Sequence, residues 1–298
     1  MHFLVRTLVL VAIAATLGRN ELLAQPERNP PPAPDSAAVP WTDLKPLPRA
    51  HAHNDYLHAK PLTEALQFGF CSVEADVFLR GDELLVAHTV LELRRERTLR
   101  RLYLEPLRSW IRDHDGQIFP DGTGIWLLVD IKSEAEATYQ QVHAQLEEYS
   151  DIVSQYRDGK FLQKQVTVVI SGNRPVNRIR QQTTRYAGID GRPEDLEHPI
   201  PAHLIPWIST DWKSHFRWRG VGEMPVEEQK KLEQLVSASK RQGCLLRFWG
   251  APDNSAVWTQ LWNSEVDLLG TDRLAGMAAF QNGQLLLPTP QPEPRRNP

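Results

Sequence analysis

A chain of 298 residues, 41% hydrophobic and 24% charged, has the composition of a soluble globular protein with room for one large domain. Its formal net charge of −3 provides no basic footprint, so neither a nucleic-acid partner nor a polybasic membrane patch is expected.

In chain order, Arg6 precedes an apolar run over 7–17, and Leu22-Leu23-Ala24 ends on a small residue. That is the order of a secretory signal, so residues 1–24 read as a signal peptide and the protein as exported, periplasmic or secreted. The run falls short of the about 20 apolar residues a membrane span needs, so no stable transmembrane anchor is expected, and a short anchor left uncleaved is the alternative reading. Residues 25–48 carry many prolines and few large apolar groups and read as a disordered spacer, as does the tail over 288–298. The folded part is expected over 49–287.

Within it, β-rich runs recur at 49–53, 72–79, 125–131, 166–171, 186–189, 205–209, 244–249 and 267–270, with an extra extended segment at 84–88. Helical spacing occupies 61–68, 102–114, 134–149, 175–183, 226–241 and 256–262. In the fifth of these Leu232, Leu235 and Val236 form one stripe, and Gly243 stands as the stop. Eight rounds of strand and helix predict the α/β class and a single (β/α)8 barrel. Cys71 and Cys244 fall in the second and seventh strands, which are not barrel neighbours, so both are expected as buried free thiols. Trp207, Trp212 and Trp218 fit either a hydrophobic lip or a packed loop.

The period of two along a strand makes the polar residues informative. Glu74 and Asp76 share one face while Val73, Ala75 and Val77 share the other. The apolar face must meet the helices, which sends both carboxylates into the barrel. The same parity turns Asp130 and Lys132 inward, pairs His51 with His53 ahead of Asn54 and Asp55, and pairs Arg247 with Trp249. All lie toward the C-terminal ends of their strands, where such barrels build their sites. Three buried carboxylates must neutralise or find a cation. Lys132 supplies one charge, and a divalent ion on Glu74, Asp76 and Asp130 would supply the rest. All-oxygen donors suit Mg²⁺ or Ca²⁺. A structural pair bridging to Lys132 is the alternative.

His51-Ala52-His53-Asn54-Asp55-Tyr56, Val73-Glu74-Ala75-Asp76-Val77, Ala87-His88 and Leu128-Val129-Asp130-Ile131-Lys132 together resemble one superfamily. It comprises the phosphatidylinositol-specific phospholipase C and glycerophosphodiester phosphodiesterase-like TIM barrels, and the branch most resembled is that of altered inheritance of mitochondria protein six. Ile170-Ser171-Gly172-Asn173-Arg174-Pro175, Arg247-Phe248-Trp249-Gly250 and Gly270-Thr271-Asp272 extend the likeness over nearly the whole folded part. The resemblance implies a PLC-like phosphodiesterase with His53 and His88 as acid and base, Glu74, Asp76 and Asp130 as metal ligands, and Lys132 as a phosphate contact. His51, Asn54, Asp55, Asn173, Arg247 and Trp249 are assigned to the substrate, a small-molecule or lipid-headgroup phosphodiester. Two departures loosen that substrate: Asn54-Asp55 stands where the glycerophosphodiesterases carry Arg-Gly, and Thr89 follows His88 in place of Asp. Asp130 also stands where they usually carry Glu, closer to the sphingomyelinase D branch. Asp272 fits capping the next helix as well as touching a ligand. Two further readings stay open: a metal hydrolase of amidohydrolase type built on the His51-His53 pair, and a barrel that binds a phosphorylated or sugar ligand without turnover.

Overall fold

The computed structural model describes residues 39–285 apart from residue 200. The signal-peptide reading, the first part of the spacer and the tail lie outside them. Eight strands form the barrel: β1 (Leu47–Ala52), β2 (Phe70–Arg80), β3 (Ile125–Ile131), β4 (Val166–Gly172), β5 (Ala187–Gly191), β6 (Trp207–Asp211), β7 (Leu245–Trp249) and β8 (Leu269–Thr271). Each pairs in parallel with its successor from β1 to β7, and β8 returns to β1. A parallel bridge from Arg247 to Leu268 joins β7 to the entry of β8 and nearly closes the ring. The strands are Val-, Ile- and Leu-rich because both faces are covered, by helices outside and by one another's side chains inside.

Parity sorts those faces as the sequence predicts. Val73, Ala75 and Val77 join the outer core with the helices, whereas Leu128, Val169, Trp207 and Leu268 form a separate packed layer inside the barrel. Glu74 stands beside Leu128, and Asp76 beside Asp130, in the β2–β3 register. The inner apolar layer therefore floors the carboxylates and divides one end of the barrel from the other.

Several elements differ from expectation at their edges. Residues 39–48 are not all spacer: Leu44 and Leu47 are buried, and Trp41 packs against the core through the short helix Trp41–Asp43. The extended segment after β2 is the strand Glu83–Val86, antiparallel to it. A second sheet of Gln155–Arg157, Lys160–Leu162 and Thr184–Arg185 is additional, as is the helix Leu274–Leu285. Trp207, Trp212 and Trp218 are all buried, so none forms a lip: Trp207 belongs to the inner layer of the barrel, and Trp212 and Trp218 pack in the segment after β6. Both cysteines are buried and free. Among the described residues no helix is long and apolar enough to cross a membrane.

Candidate active site

At the C-terminal ends of the strands lies a cavity of about 400 Å³. Its walls include His53, Glu74, Asp130, Lys132, Arg247 and Trp249, with Asn173 and Arg192 completing the rim. Trp249 is 45% exposed, an aromatic face at the mouth.

Glu74, Asp76 and Asp130 each offer an oxygen within 4.8 Å of the others, and this is the one such donor group among the described residues. Their environments differ. Burial would raise Glu74, but the buried Arg247 guanidinium, 2.9 Å from its Oε2, and the His51 imidazole outweigh it and hold the carboxyl well below its usual range. Asp76 is pushed up to about 6 by burial and by the Glu74 charge, against the pull of Lys132. Burial raises Asp130 as well, again against Lys132. Lys132 Nζ stands 3.3 Å from Asp76 and 3.1 Å from Asp130. One ammonium shared by two carboxylates leaves Oδ1 of both Asp76 and Asp130 buried without a partner. Two orphaned oxygens beside a carboxylate of low pKa fit a hard divalent cation, which would satisfy all three together.

Gly172 makes room for this arrangement. It sits at φ +67°, and a Cβ there would collide with Asp130 Oδ1 and the Ile131 carbonyl oxygen. The backbone of β4 can approach Asp130 only without a side chain.

The histidines part company. His51 is fully buried, with Nδ1 2.7 Å from Ser72 Oγ and Nε2 3.3 Å from Glu74, and burial with the nearby Arg247 pushes it down to about 4. It supports Glu74 and offers a substrate no surface, which corrects its assignment as a substrate contact. The two imidazoles serve different partners, His51 meeting Glu74 and His53 meeting Asp272. His53, one step beyond β1, lines the cavity and bonds Asp272 through Nδ1 at 2.7 Å. Burial would lower its pKa, but Asp272 and the Glu74 charge outweigh that and raise it, against Arg247. With Nδ1–H given to Asp272, Nε2 is left for the cavity. His88 is half-exposed and reaches the Tyr56 hydroxyl at 3.1 Å, while that hydroxyl also contacts Asp76 and Asn54 at 2.7 Å each.

Asn54 stands in the left-handed region at φ 50° and donates to Asp272 at 3.3 Å, so it braces the His53–Asp272 pair. Asn173 lines the cavity and donates to the Ser133 carbonyl. Asp55 is a second correction: it is fully buried, accepting from Leu62 N–H at 2.7 Å and Tyr103 hydroxyl at 2.9 Å, and it belongs to the scaffold. Burial pushes its pKa up to about 7. A raised folded-state pKa means stability that is complete below its unfolded value and lost as pH climbs through 7. Asp55→Asn keeps one acceptor and removes the charge. Urea unfolding from pH 4 to pH 8 is therefore expected to show the wild type losing stability relative to Asp55→Asn, on the order of 4 kcal/mol. Parallel curves for the two proteins would contradict it.

Asp272, read from the sequence as a helix cap or a ligand contact, instead holds His53. Arg192 escaped the sequence reading and brings a third cation to the cavity while paired with the buried Asp190 at 2.9 Å.

The fold is shared with a glycerophosphodiester phosphodiesterase from Parabacteroides distasonis, at a TM-score of 0.52 and 15% identity over 80% of this chain and 98% of that one. Altered inheritance of mitochondria protein 6 of Eremothecium gossypii is 30% identical over 285 residues, covering 84% of this chain and 73% of that protein. The homolog from Arthroderma benhamiae is 27% identical over 264 residues, 77% of this chain and 82% of its own. A family profile described as an AIM6-like phosphodiesterase domain matches residues 41–190, which hold all three carboxylates and both histidine motifs, of which His53 lines the cavity while His88 lies in a neighbouring cleft beside Tyr56. With the barrel and its acidic cluster in place, the chain belongs to the AIM6-like phosphodiesterase domain family.

Proposed function

We propose that the protein is a divalent-metal-dependent phosphodiesterase acting on a glycerophosphodiester or a related lipid-headgroup phosphodiester. The observation that carries this is the cavity's division of charge: orphaned carboxylate oxygens gathered at one place, with Lys132, Arg192 and Arg247 around them. The name of the Parabacteroides neighbour supports the glycerophosphodiester class.

A cation held by Glu74, Asp76 and Asp130 would neutralise the nonbridging phosphate oxygens. Lys132 adds positive charge to the same region. His53 takes the proton of the attacking water or hydroxyl on Nε2 while Asp272 stabilises the imidazolium, and His88 protonates the leaving alkoxide. A P–O bond to the nucleophile forms and the P–O bond to the alcohol breaks, giving a monoester, or a cyclic ester where the nucleophile is the substrate's own hydroxyl. Export through residues 1–24 is part of the same proposal, on the order of charge, apolar run and small residue there.

The test is turnover of bis(p-nitrophenyl) phosphate and of glycerophosphodiesters by chelator-treated protein with metals added back. Turnover restored by Mg²⁺ or Ca²⁺ is the expected result. Binding of glycerol phosphate with no turnover under any metal would make the barrel a binding protein. A requirement for Zn²⁺ that is lost in His51→Ala would favour a histidine-held metal.

A further inference from the structure

The opposite end of the barrel holds a second cavity, of about 300 Å³. It is lined by Trp126 and Leu245 from the first turns of β3 and β7, and by Tyr156, Phe161, Arg185 and His203 from the small sheet and the loop beyond it. Trp126 and Leu245 pack on the inner layer of Leu128, Val169, Trp207 and Leu268, so that layer separates this cavity from the catalytic one. Its size is at the lower end for small-molecule pockets, and its walls are chiefly aromatic and aliphatic.

One residue in it is out of place. Among the described residues two arginines are nearly fully buried, Arg185 at 3% and Arg247 at 4% exposed. Arg247 has Glu74. Arg185 has no carboxylate within ion-pair distance among the described residues, and its Nε is buried without a hydrogen-bond partner. Its Nη2 donates to Nδ1 and to the carbonyl of His203, and its guanidinium lies 4.2 Å from the centre of the Tyr156 ring. His203 Nδ1 accepts from the guanidinium through its lone pair, and burial with the guanidinium's charge pushes the imidazole pKa down. Cation–π contact and neutral acceptors compensate a buried guanidinium only in part, and a buried cation ordinarily has an anion.

We propose that this cavity is a second binding site, for a small amphiphilic monoanion of the medium-chain fatty acid kind, with its carboxylate on Arg185 and its apolar body against Trp126, Phe161 and Leu245. A planar fork suits a carboxylate, and the apolar walls suit an alkyl chain better than a sugar or a nucleotide. The site is independent of the phosphodiesterase reading, because it shares no lining residue with the catalytic cavity.

The experiment is calorimetric titration of the full chain with sodium decanoate below its micelle concentration, beside decanol as the uncharged counterpart. One saturable equivalent of decanoate is expected, with decanol binding at least tenfold more weakly. Arg185→Gln is expected to weaken decanoate at least tenfold and Arg185→Lys only a few-fold, in proteins whose melting curves remain cooperative. Arg192→Gln, in the catalytic cavity, is expected to leave decanoate binding unchanged. Absent or non-saturating decanoate heat overturns the proposal, as does decanol binding equally well. Loss of binding in Arg192→Gln would place the anion in the catalytic cavity and overturn it too. Should Arg185→Gln fail to fold, the decanoate–decanol comparison on the wild type still decides.

Discussion

Glu74→Gln is expected to abolish metal-stimulated phosphodiester turnover, lowering kcat/KM by about 10³-fold or more, and also to destabilise the fold. The two effects have different causes. Glutamine is nearly the same shape, but it removes the carboxylate that balances Arg247, whose guanidinium is 4% exposed and has no other carboxylate partner among the described residues. Stranding one member of a buried pair costs about 3–5 kcal/mol. Replacing both is milder, so Glu74→Gln/Arg247→Met should recover most of the lost melting temperature. Turnover should not return with it, since the charged oxygen donor is still missing. Thermal unfolding and metal titration of both singles and the double separate the contributions. A double mutant that regained turnover along with stability would show that Glu74 serves only to neutralise Arg247.

The sequence already contained most of this geometry, because burial constrains strands strongly. Val73, Ala75 and Val77 have to meet helices, so Glu74 and Asp76 can only point inward, and they do. Parity says which face a side chain takes, but not how deep along the barrel axis it lies. His51 and His53 have the same parity. Two residues of rise put one under the rim, bonded to Ser72 and Glu74, and the other at the cavity wall. Asp55 adjoins His53 in sequence, yet the chain turns there and sends it to Leu62 and Tyr103. The bond between Asp272 and His53 was accessible in principle: a closed barrel puts β8 beside β1, so a polar residue ending one should meet a polar residue ending the other. Arg192 was hidden by the end assigned to the fifth strand, which continues to Gly191. The small sheet carried a local signal in Asp158-Gly159, whose positive φ values of 53° and 78° join two very short strands. Runs of three residues are too short for alternation to register.

His53→Ala is expected to lower kcat by about 10²–10⁴-fold, the usual worth of a positioned proton-transfer group, with little change in melting temperature because the side chain is partly exposed. Asp272→Asn is the more discriminating change. Asp272 is a positioning residue that meets His53 at the nitrogen turned away from the cavity, and its charge, with that of Glu74, raises the imidazole pKa against burial and Arg247. The raised pKa contributes stability that is complete below the unfolded value of about 6.5 and disappears as pH rises through the folded value. Removing the Asp272 charge lowers the folded value. The acid limb of kcat/KM, which reports the free enzyme's base, should therefore move to lower pH while the plateau falls. The two changes run against each other: more of the enzyme holds a basic His53 at acid pH, yet each molecule turns over more slowly because the imidazolium has lost its counter-charge. A merely structural Asp272 would lower the melting temperature without moving that limb. An unmoved limb with wild-type kcat would mean that His53 is oriented by Asn54 alone and that the carboxylate beside it takes no part in the proton transfer.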